Sequence, residues 1–299
     1  MKMQKILMMF TLLLIVRSAA AVDVFACEPE WAALAQELGG DRVEVFTASA
    51  ALQDPHRIEA RPTLIAKLRQ ADLLVCTGAD LETGWLPMLL RKASNDRVQP
   101  GKPGHFLAAQ HVPLKEVPTR LDRSEGDVHT FGNPYIQTDP RNIAKVAQAL
   151  AQRLAQIDAS QSAFYAERHQ AFAARWQAAM QRWEQQAAPL RGVPIVVQHK
   201  SWVYLQDWLG LIEVATLEPK PGIPPSSGYL AEVLTQLHRQ PARMVIRAAY
   251  QDGRSSEWLS KQAGIPAVEL PFTVGGNDNA QDLFALFDDT LVQLLGAIK

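Results

Sequence analysis

Seven histidines are the residues of this chain whose chemistry is most informative. Three of them, His56, His129 and His199, each lie in a loop at or just after a predicted strand. Ligands of open α/β sheets bind beyond the carboxyl ends of the strands, and neutral imidazole is a favoured ligand of zinc and its neighbours. These three are therefore candidate ligands of one divalent transition metal, if the fold brings their loops together. The others are interpreted as solvated or structural: His105, His111, His169 and His238.

Short apolar runs that alternate with helical segments predict the elements that position these loops. The strand-like runs span residues 22–26, 43–46, 71–76, 195–198, 212–216, 243–247 and 267–270. Segments with apolar side chains at helical spacing lie between them. Such alternation with short connections is typical of α/β folds with a mostly parallel sheet. Residues 95–132, rich in proline, glycine and charge, are predicted to be a surface loop region.

The segment over residues 160–190 is the most distinctive element of the chain. It has no internal glycine, and its aromatic side chains fall mostly at helical spacing. A helix of this length would extend about 45 Å, and its aromatic spacing is not a clean heptad, so we interpret it as a rigid strut between two lobes. The predicted division is an N-terminal α/β lobe over 22–158, a linking helix over 159–190 and a C-terminal α/β lobe over 191–299.

The first 21 residues read as a secretory signal peptide. Lys2 and Lys5 precede an apolar stretch over residues 6–16, and small residues at 18–21 offer a cleavage site. An uncleaved anchor is the alternative, but the apolar stretch is shorter than the roughly 20 residues of a membrane-spanning helix. We therefore expect a mature chain that begins near Val22 and is located in the periplasm.

Two cysteines, Cys27 and Cys76, follow or end short strand-like runs. An oxidising compartment permits one disulfide between them, and two separate buried thiols are an equal alternative.

The charge of the chain is balanced, with 30 Lys and Arg against 31 Asp and Glu. No basic stripe stands out, so we expect no nucleic-acid binding. The chain carries no G-x-x-x-x-G-K-[ST], H-E-x-x-H or G-x-S-x-G motif. The sequence therefore offers neither a P-loop for ATP nor a hydrolase motif.

Three short sequence motifs point to one family. The first is Pro55-His56 followed by Glu59 and Pro62, and the second runs from Ala71-Asp72 through Gly78 to Leu81-Glu82. The third is His199 followed by Tyr204-Leu205. Over about residues 22–295 the chain resembles the metal-binding lipoproteins and periplasmic proteins that deliver zinc or manganese to ABC transporters. The resemblance implies two α/β lobes joined by one long helix, with His56 and His199 as metal ligands.

The chain departs from the family pattern at the second ligand. The family places a histidine after a proline and four residues before Asp-Pro, and Tyr135 stands there in this chain. A neutral phenol is a poorer zinc ligand than imidazole. We expect His129, six residues upstream, to take the place of that histidine, with Tyr135 as the alternative.

The fourth family ligand, an Asp or Glu after a late strand, is also missing. Pro271 stands at the matching position. We take Asp278 as the candidate, with Asp282 and then Glu59 as alternatives, although Asp278 is equally suited to the positive end of the last helix. Water in an open fourth position is a further possibility.

Together these features imply a monomeric binding protein that captures Zn²⁺, with Mn²⁺ as the alternative metal, and passes it to an ABC transporter permease. A histidine-dominated site favours zinc, because manganese prefers more oxygen ligands. A second hypothesis is a zinc hydrolase with Glu59 as general base. A third is a two-lobe receptor for haem or another metal chelate, in which Tyr135 binds the metal and Ser226, Ser227 and Tyr229 line the pocket.

Overall fold

The computed structural model describes residues 21–118 and 129–299, and this part of the chain contains two four-stranded parallel sheets. The first sheet consists of β1 (Val22–Ala26), β2 (Val43–Thr47), β3 (Leu73–Cys76) and β4 (His105–Leu107), in the order β2-β1-β3-β4. The second consists of β5 (Pro194–Val197), β6 (Ile212–Thr216), β7 (Met244–Ala248) and β8 (Ala267–Leu270), in the order β6-β5-β7-β8. The predicted α/β fold with two parallel sheets is confirmed. Each sheet reverses its winding beside its first strand, where α/β proteins place their ligands.

Helices flank both sheets. They are α1 (Pro29–Gly39), α2 (Pro62–Gln70), α3 (Leu86–Ala93), α4 (Pro140–Ile157), α5 (Ser162–Gln186), α6 (Val203–Leu209), α7 (Ser227–Arg239), α8 (Arg254–Ala263) and α9 (Leu283–Ala297). Each of the first four has a proline in its first turn, where the missing N–H costs no intrahelical hydrogen bond. Asp139 caps α4 by accepting a hydrogen bond from the backbone N–H of Arg141, as its position before Pro140 predicts.

The central strands read as continuous apolar runs because they are covered on both faces. All four residues of β3 are fully buried, as is usual in parallel sheets with helices on either side. Cys27, directly after β1, forms a disulfide with Cys76 at the end of β3. The first of the two alternatives for the cysteines is therefore the one observed, and the bond joins two neighbouring strands beside the loops that follow them.

The predicted long helix is confirmed as α5, which has 25 residues and a single 3₁₀ turn at either end, Ala159–Gln161 and Ala188–Leu190. Trp176 donates its indole N–H to the carbonyl of Pro140 at 2.9 Å and packs against Phe284 of α9 with ring centroids 4.9 Å apart. One face of α5 therefore contacts helices of both halves. The largest hydrophobic cluster of the described residues runs from the first sheet past α5 to the second.

The region over 95–132 is less irregular than predicted, because it contributes β4 to the edge of the first sheet. A strand of three residues that follows a glycine-containing turn and leads directly into a 3₁₀ turn is too short to show alternation, so the sequence pattern does not predict it. The predicted signal peptide lies almost entirely outside the described residues. Among the residues that are described, none of the helices has the length and apolarity needed to cross a membrane.

Candidate metal site

His56 lies in the loop that follows β2, and a neighbouring carboxylate fixes its imidazole. Asp54 Oδ1 accepts hydrogen bonds from the backbone N–H of His56 at 3.0 Å and from its Nδ1 at 2.8 Å. The indole N–H of Trp85 holds the carbonyl of Pro55 at 2.9 Å. Because the proton is held on Nδ1, the Nε2 lone pair of His56 is available to a metal.

His199 follows β5 at the carboxyl edge of the second sheet and is oriented in the same way. Its Nδ1 lies 2.6 Å from Glu218 Oε2, which also accepts from the backbone N–H of Gly222 at 2.7 Å. The backbone N–H of Glu218 bonds to the carbonyl of Gln198, so the loop after β6 is tied to the end of β5. His199 is buried, and its Nε2 points toward the groups described next.

Three imidazole nitrogens and one phenol oxygen lie close together between the two sheets. His129 Nε2 lies 3.3 Å from His56 Nε2. Tyr135 Oη lies 3.4 Å from His56 Nε2 and 3.0 Å from His199 Nε2. Ligand atoms of a tetrahedral zinc at 2.0–2.1 Å from the metal are themselves about 3.3 Å apart. These three distances therefore match the spacing of ligand atoms in a zinc coordination shell.

The three imidazoles alone are less compact than the group that includes Tyr135. Their nitrogens do not all lie within 4.8 Å of one another among the described residues. Tyr135, which is 1% exposed, contacts both His56 and His199 and packs on Phe272 with ring centroids 5.4 Å apart. His129 and Tyr135, which are alternatives in the sequence prediction, both lie beside His56 in the structure.

The loop that carries His129 is held by Asp80. Asp80 Oδ2 accepts a hydrogen bond from the backbone N–H of Thr130 at 2.8 Å. Asp80 and the preceding Ala79 both have left-handed backbones, with φ of 68° and 50°, in the turn after β3. Such conformations are uncommon outside glycine and cluster at binding sites. The Ala-Asp-Leu-Glu segment over residues 79–82 thus positions the loop that carries His129 and does not itself contribute a metal ligand.

The electrostatics of the site favour a neutral His129 and a charged Asp54. Burial, and then the proximity of His56 and His199, lower the pKa of His129 to about 4. Its imidazole is therefore neutral at physiological pH, as a metal ligand must be. At Asp54 burial raises the pKa, but hydrogen bonds from His56 outweigh burial and hold the pKa of that carboxyl below its ordinary value. This carboxylate stays charged and polarises His56.

The candidates for the fourth ligand lie elsewhere. Asp278 is exposed in the loop between β8 and α9, away from the cavities that the histidines line. Asp282 caps α9 by accepting from the backbone N–H groups of Phe284 and Ala285. Glu59 is exposed and does not line those cavities either, which removes the general base of the hydrolase hypothesis. The loop after β8 instead brings Phe272 against Tyr135.

A second cluster of potential ligands lies deep in the first half. Cys27, Cys76 and Glu82 have ligand atoms within 4.8 Å of one another, but the two sulfurs are bonded to each other. Glu82 accepts from the backbone N–H of Thr77 at 2.8 Å, and burial raises its pKa to about 7. This cluster is therefore a structural one, joined by a disulfide and hydrogen bonds.

The family model described as ZnuA, zinc-uptake complex component A, periplasmic, matches residues 24–297. The chain belongs to this family. ZnuA-family members are solute-binding proteins and not enzymes. A zinc-binding lipoprotein, AdcA of Streptococcus pneumoniae, is 23% identical over 230 residues, which are 77% of this chain and 46% of AdcA. The manganese ABC transporter substrate-binding lipoprotein PsaA of Streptococcus pneumoniae is 23% identical over 249 residues, 80% of this chain and 76% of PsaA. The chain thus spans about half the length of AdcA.

Solved structures share the fold of the chain. A crystal structure of ZnuA superposes with a TM-score of 0.77 at 22% identity, covering 93% of this chain and 100% of that one. The solute-binding protein FpvC of Pseudomonas aeruginosa, in complex with Mn²⁺, also has a TM-score of 0.77 at 20% identity, covering 93% of this chain and 98% of that one. At these identities the likeness establishes the ZnuA-like fold alone.

Proposed function

We propose that this protein captures a divalent transition metal, zinc in preference to manganese, at the site formed by His56, His129, His199 and Tyr135. The observation that carries the proposal is the set of three contacts, 3.0–3.4 Å long, that join the three imidazoles and the phenol in one group. Two of the imidazoles are polarised by carboxylates, an arrangement that raises ligand basicity. Three nitrogen donors and one oxygen favour zinc, since manganese prefers carboxylate and water oxygens.

Delivery to an ABC transporter permease is the role that family membership supports for the captured metal. The named relatives include a zinc-binding lipoprotein and a manganese transporter component, so either metal has precedent in the family. Residues 1–21 serve as the export signal in this proposal, and the mature protein acts as a periplasmic monomer. The lobes of the proposed division, 22–158 and 191–299, contribute His56 and His199 respectively, so the metal is held between them.

Competition titration with a chromophoric chelator tests the proposal. We expect zinc to bind wild-type protein at one equivalent and at least about 100-fold more tightly than manganese. His56→Ala, His129→Ala and His199→Ala should each weaken zinc binding by about 100-fold or more, and Tyr135→Phe by about tenfold. His238→Ala, on α7, is the matched control. Wild-type affinity in His129→Ala would exclude that residue as a ligand, and a preference for manganese would overturn the assignment to zinc.

A further inference from the structure

A buried asparagine connects the two segments that carry Tyr135 and His199. Asn133 lies two residues before Tyr135, and its Oδ1 accepts a hydrogen bond from the backbone N–H of Tyr135 at 3.1 Å. Its Nδ2 donates to the backbone carbonyl of Lys200, the residue after His199, at 2.8 Å. One amide group therefore binds the backbone on both sides of the 3.0 Å contact between Tyr135 Oη and His199 Nε2.

The surroundings of Asn133 require an amide at this position. Besides the carbonyl of Lys200, a carboxylate oxygen of Glu116 lies 3.1 Å from Nδ2, so the amino group of the side chain faces two acceptors. The amide oxygen faces an N–H donor. An amide combines a donor and an acceptor in one planar group, whereas a carboxylate has no N–H to donate and would face the negative charge of Glu116.

The backbone of Asn133 is held as well as its side chain. Its N–H donates to the carbonyl of Lys115 at 2.8 Å, and its carbonyl accepts from the hydroxyl of Tyr204, on α6, at 2.7 Å. The preceding Gly132 has a φ of 117°, and a Cβ there would lie 2.7 Å from the carbonyl of Lys115. Each polar group of Asn133 therefore has a partner, and the glycine permits the close approach that these hydrogen bonds need.

The carbonyl that Asn133 binds belongs to the turn that carries His199. The backbone N–H of Ser201 donates to the carbonyl of His199 at 2.8 Å, so Lys200 lies at the centre of a tight turn. A carboxylate at Nδ1 orients the ring of His199 within its own half. The hydrogen bond from Asn133 adds the position of this turn relative to Tyr135, which the carboxylate does not fix.

We propose that Asn133 is a positioning residue of the metal site. It sets the distance between the Tyr135 oxygen and the His199 nitrogen, and thereby decides whether the phenol completes the coordination shell. Because metal–ligand distances tolerate deviations of only about 0.2 Å, a small displacement of the Tyr135 backbone withdraws its oxygen from the metal. This inference rests on the proposed function, because it assumes that Tyr135 and His199 bind the metal.

A double-mutant cycle, measured by zinc competition titration, tests the inference. Asn133→Ala should weaken zinc binding by about tenfold, as Tyr135→Phe does, because either change removes the phenol from the metal. In the Tyr135→Phe background, Asn133→Ala should weaken binding by no more than about twofold. Asn95→Ala should bind zinc like wild type. It is the matched control, since Asn95 is equally buried and donates to two backbone carbonyls at the C-terminal end of α2.

The visible absorption of bound Co²⁺ separates positioning from a general loss of stability. Its spectrum per bound ion depends on the number and kind of ligands, so Asn133→Ala should change it in the same way as Tyr135→Phe. Asn95→Ala should give the wild-type spectrum. Tyr204→Phe, which removes only the hydroxyl that binds the carbonyl of Asn133, gives a second test if Asn133→Ala folds poorly. We expect it to change the spectrum in the same direction and to a smaller extent.

The outcomes separate this inference from the proposed function. A wild-type cobalt spectrum in whichever of Asn133→Ala and Tyr204→Phe folds would overturn the inference. Equal losses of zinc affinity from Asn133→Ala with and without the phenol would also overturn it. Failure of wild type to bind zinc, or wild-type affinity in Tyr135→Phe, would instead overturn the proposed ligand set and the inference with it.

Discussion

Two carboxylates orient two of the imidazoles at the proposed metal site. Asp54 and Glu218 each accept from the Nδ1 of one histidine and also bind a backbone N–H of their own loop. Each carboxylate therefore fixes the orientation of an imidazole relative to the backbone of the loop. Sequence reasoning found the histidines from their positions after strands. It missed these two carboxylates, because only folding shows which of the chain's many acids meets which ring.

Removing either carboxylate's charge should weaken metal binding without removing a ligand. Asp54→Asn and Glu218→Gln are each expected to lower zinc affinity by about 10–100-fold, since the imidazole loses its orientation and some of its basicity. Competition titration measures the effect. Asp278→Asn, at an exposed aspartate that does not line the cavities bordered by the histidines, should bind zinc like wild type. A large loss in Asp278→Asn would restore that residue as the fourth ligand.

At the scale of elements, the structure is held by contacts that α1 and α5 make with both halves. Glu30 on α1 is buried and accepts a hydrogen bond from the hydroxyl of Thr273, which follows β8. The aromatic face of α5 packs on α9 and on the start of α4. Apolar periodicity predicted α5 and the central strands well, because burial dictates their pattern. It could not predict β4 or the Glu30 contact, which depend on partners distant in sequence.

The buried Glu30 should make stability depend on pH. Burial, opposed only in part by the Thr273 hydroxyl, raises the pKa of Glu30 from 4.5 to about 7. Between these values the native state keeps a proton that the unfolded chain releases, so the free energy of unfolding falls as pH rises. When the pH rises from 4 to 8, the free energy of unfolding of Glu30→Gln should increase by on the order of 3 kcal/mol relative to that of wild type. Urea unfolding at both pH values measures this effect, with Glu44→Gln, at an exposed glutamate, as the control. If the difference in free energy of unfolding between Glu30→Gln and wild type is the same at pH 4 and pH 8, Glu30 ionises normally.

The packing of α5 should be sensitive to truncation of its buried face. Trp183 is fully buried, packs on Phe287 with ring centroids 5.1 Å apart and donates its indole N–H to Asp288 at 2.6 Å. Trp183→Ala should lower the free energy of unfolding by about 3–5 kcal/mol, because it leaves a large cavity in the core. Gln177→Ala, on the exposed face of the same helix, should change it by less than about 0.5 kcal/mol. Equal effects of the two variants would contradict the described burial.

At the scale of the whole molecule, one continuous core joins the two sheets through α5. Metal binding between the sheets should therefore stabilise the entire chain and not one half alone. The family resemblance, which rests on three short sequence motifs, predicts two α/β lobes joined by one long helix. It could not predict that His129 and Tyr135 lie side by side, since that depends on how the loop that carries His129 folds against Tyr135.

Zinc should raise the thermal stability of the protein in a single transition. At a free zinc concentration 100 times the dissociation constant, the native state gains about 2.7 kcal/mol. Differential scanning calorimetry with zinc and with a chelator measures the shift, and His199→Ala should abolish it while His238→Ala retains it. Two separate transitions, with only one moved by zinc, would show that the halves unfold independently.

The disulfide between Cys27 and Cys76 has a practical consequence for all of these measurements. It closes a loop with a sequence separation of 49 residues, which in the chain-entropy description is worth about 4 kcal/mol of stability. Protein produced in a reducing cytosol would lack this cross-link. Its β1 and β3 ends, which lead into Glu28 and Thr77, would then be held by hydrogen bonding and packing alone. Such material would unfold early and register as a poor zinc binder, so the thiol content of each preparation is the first quantity to measure.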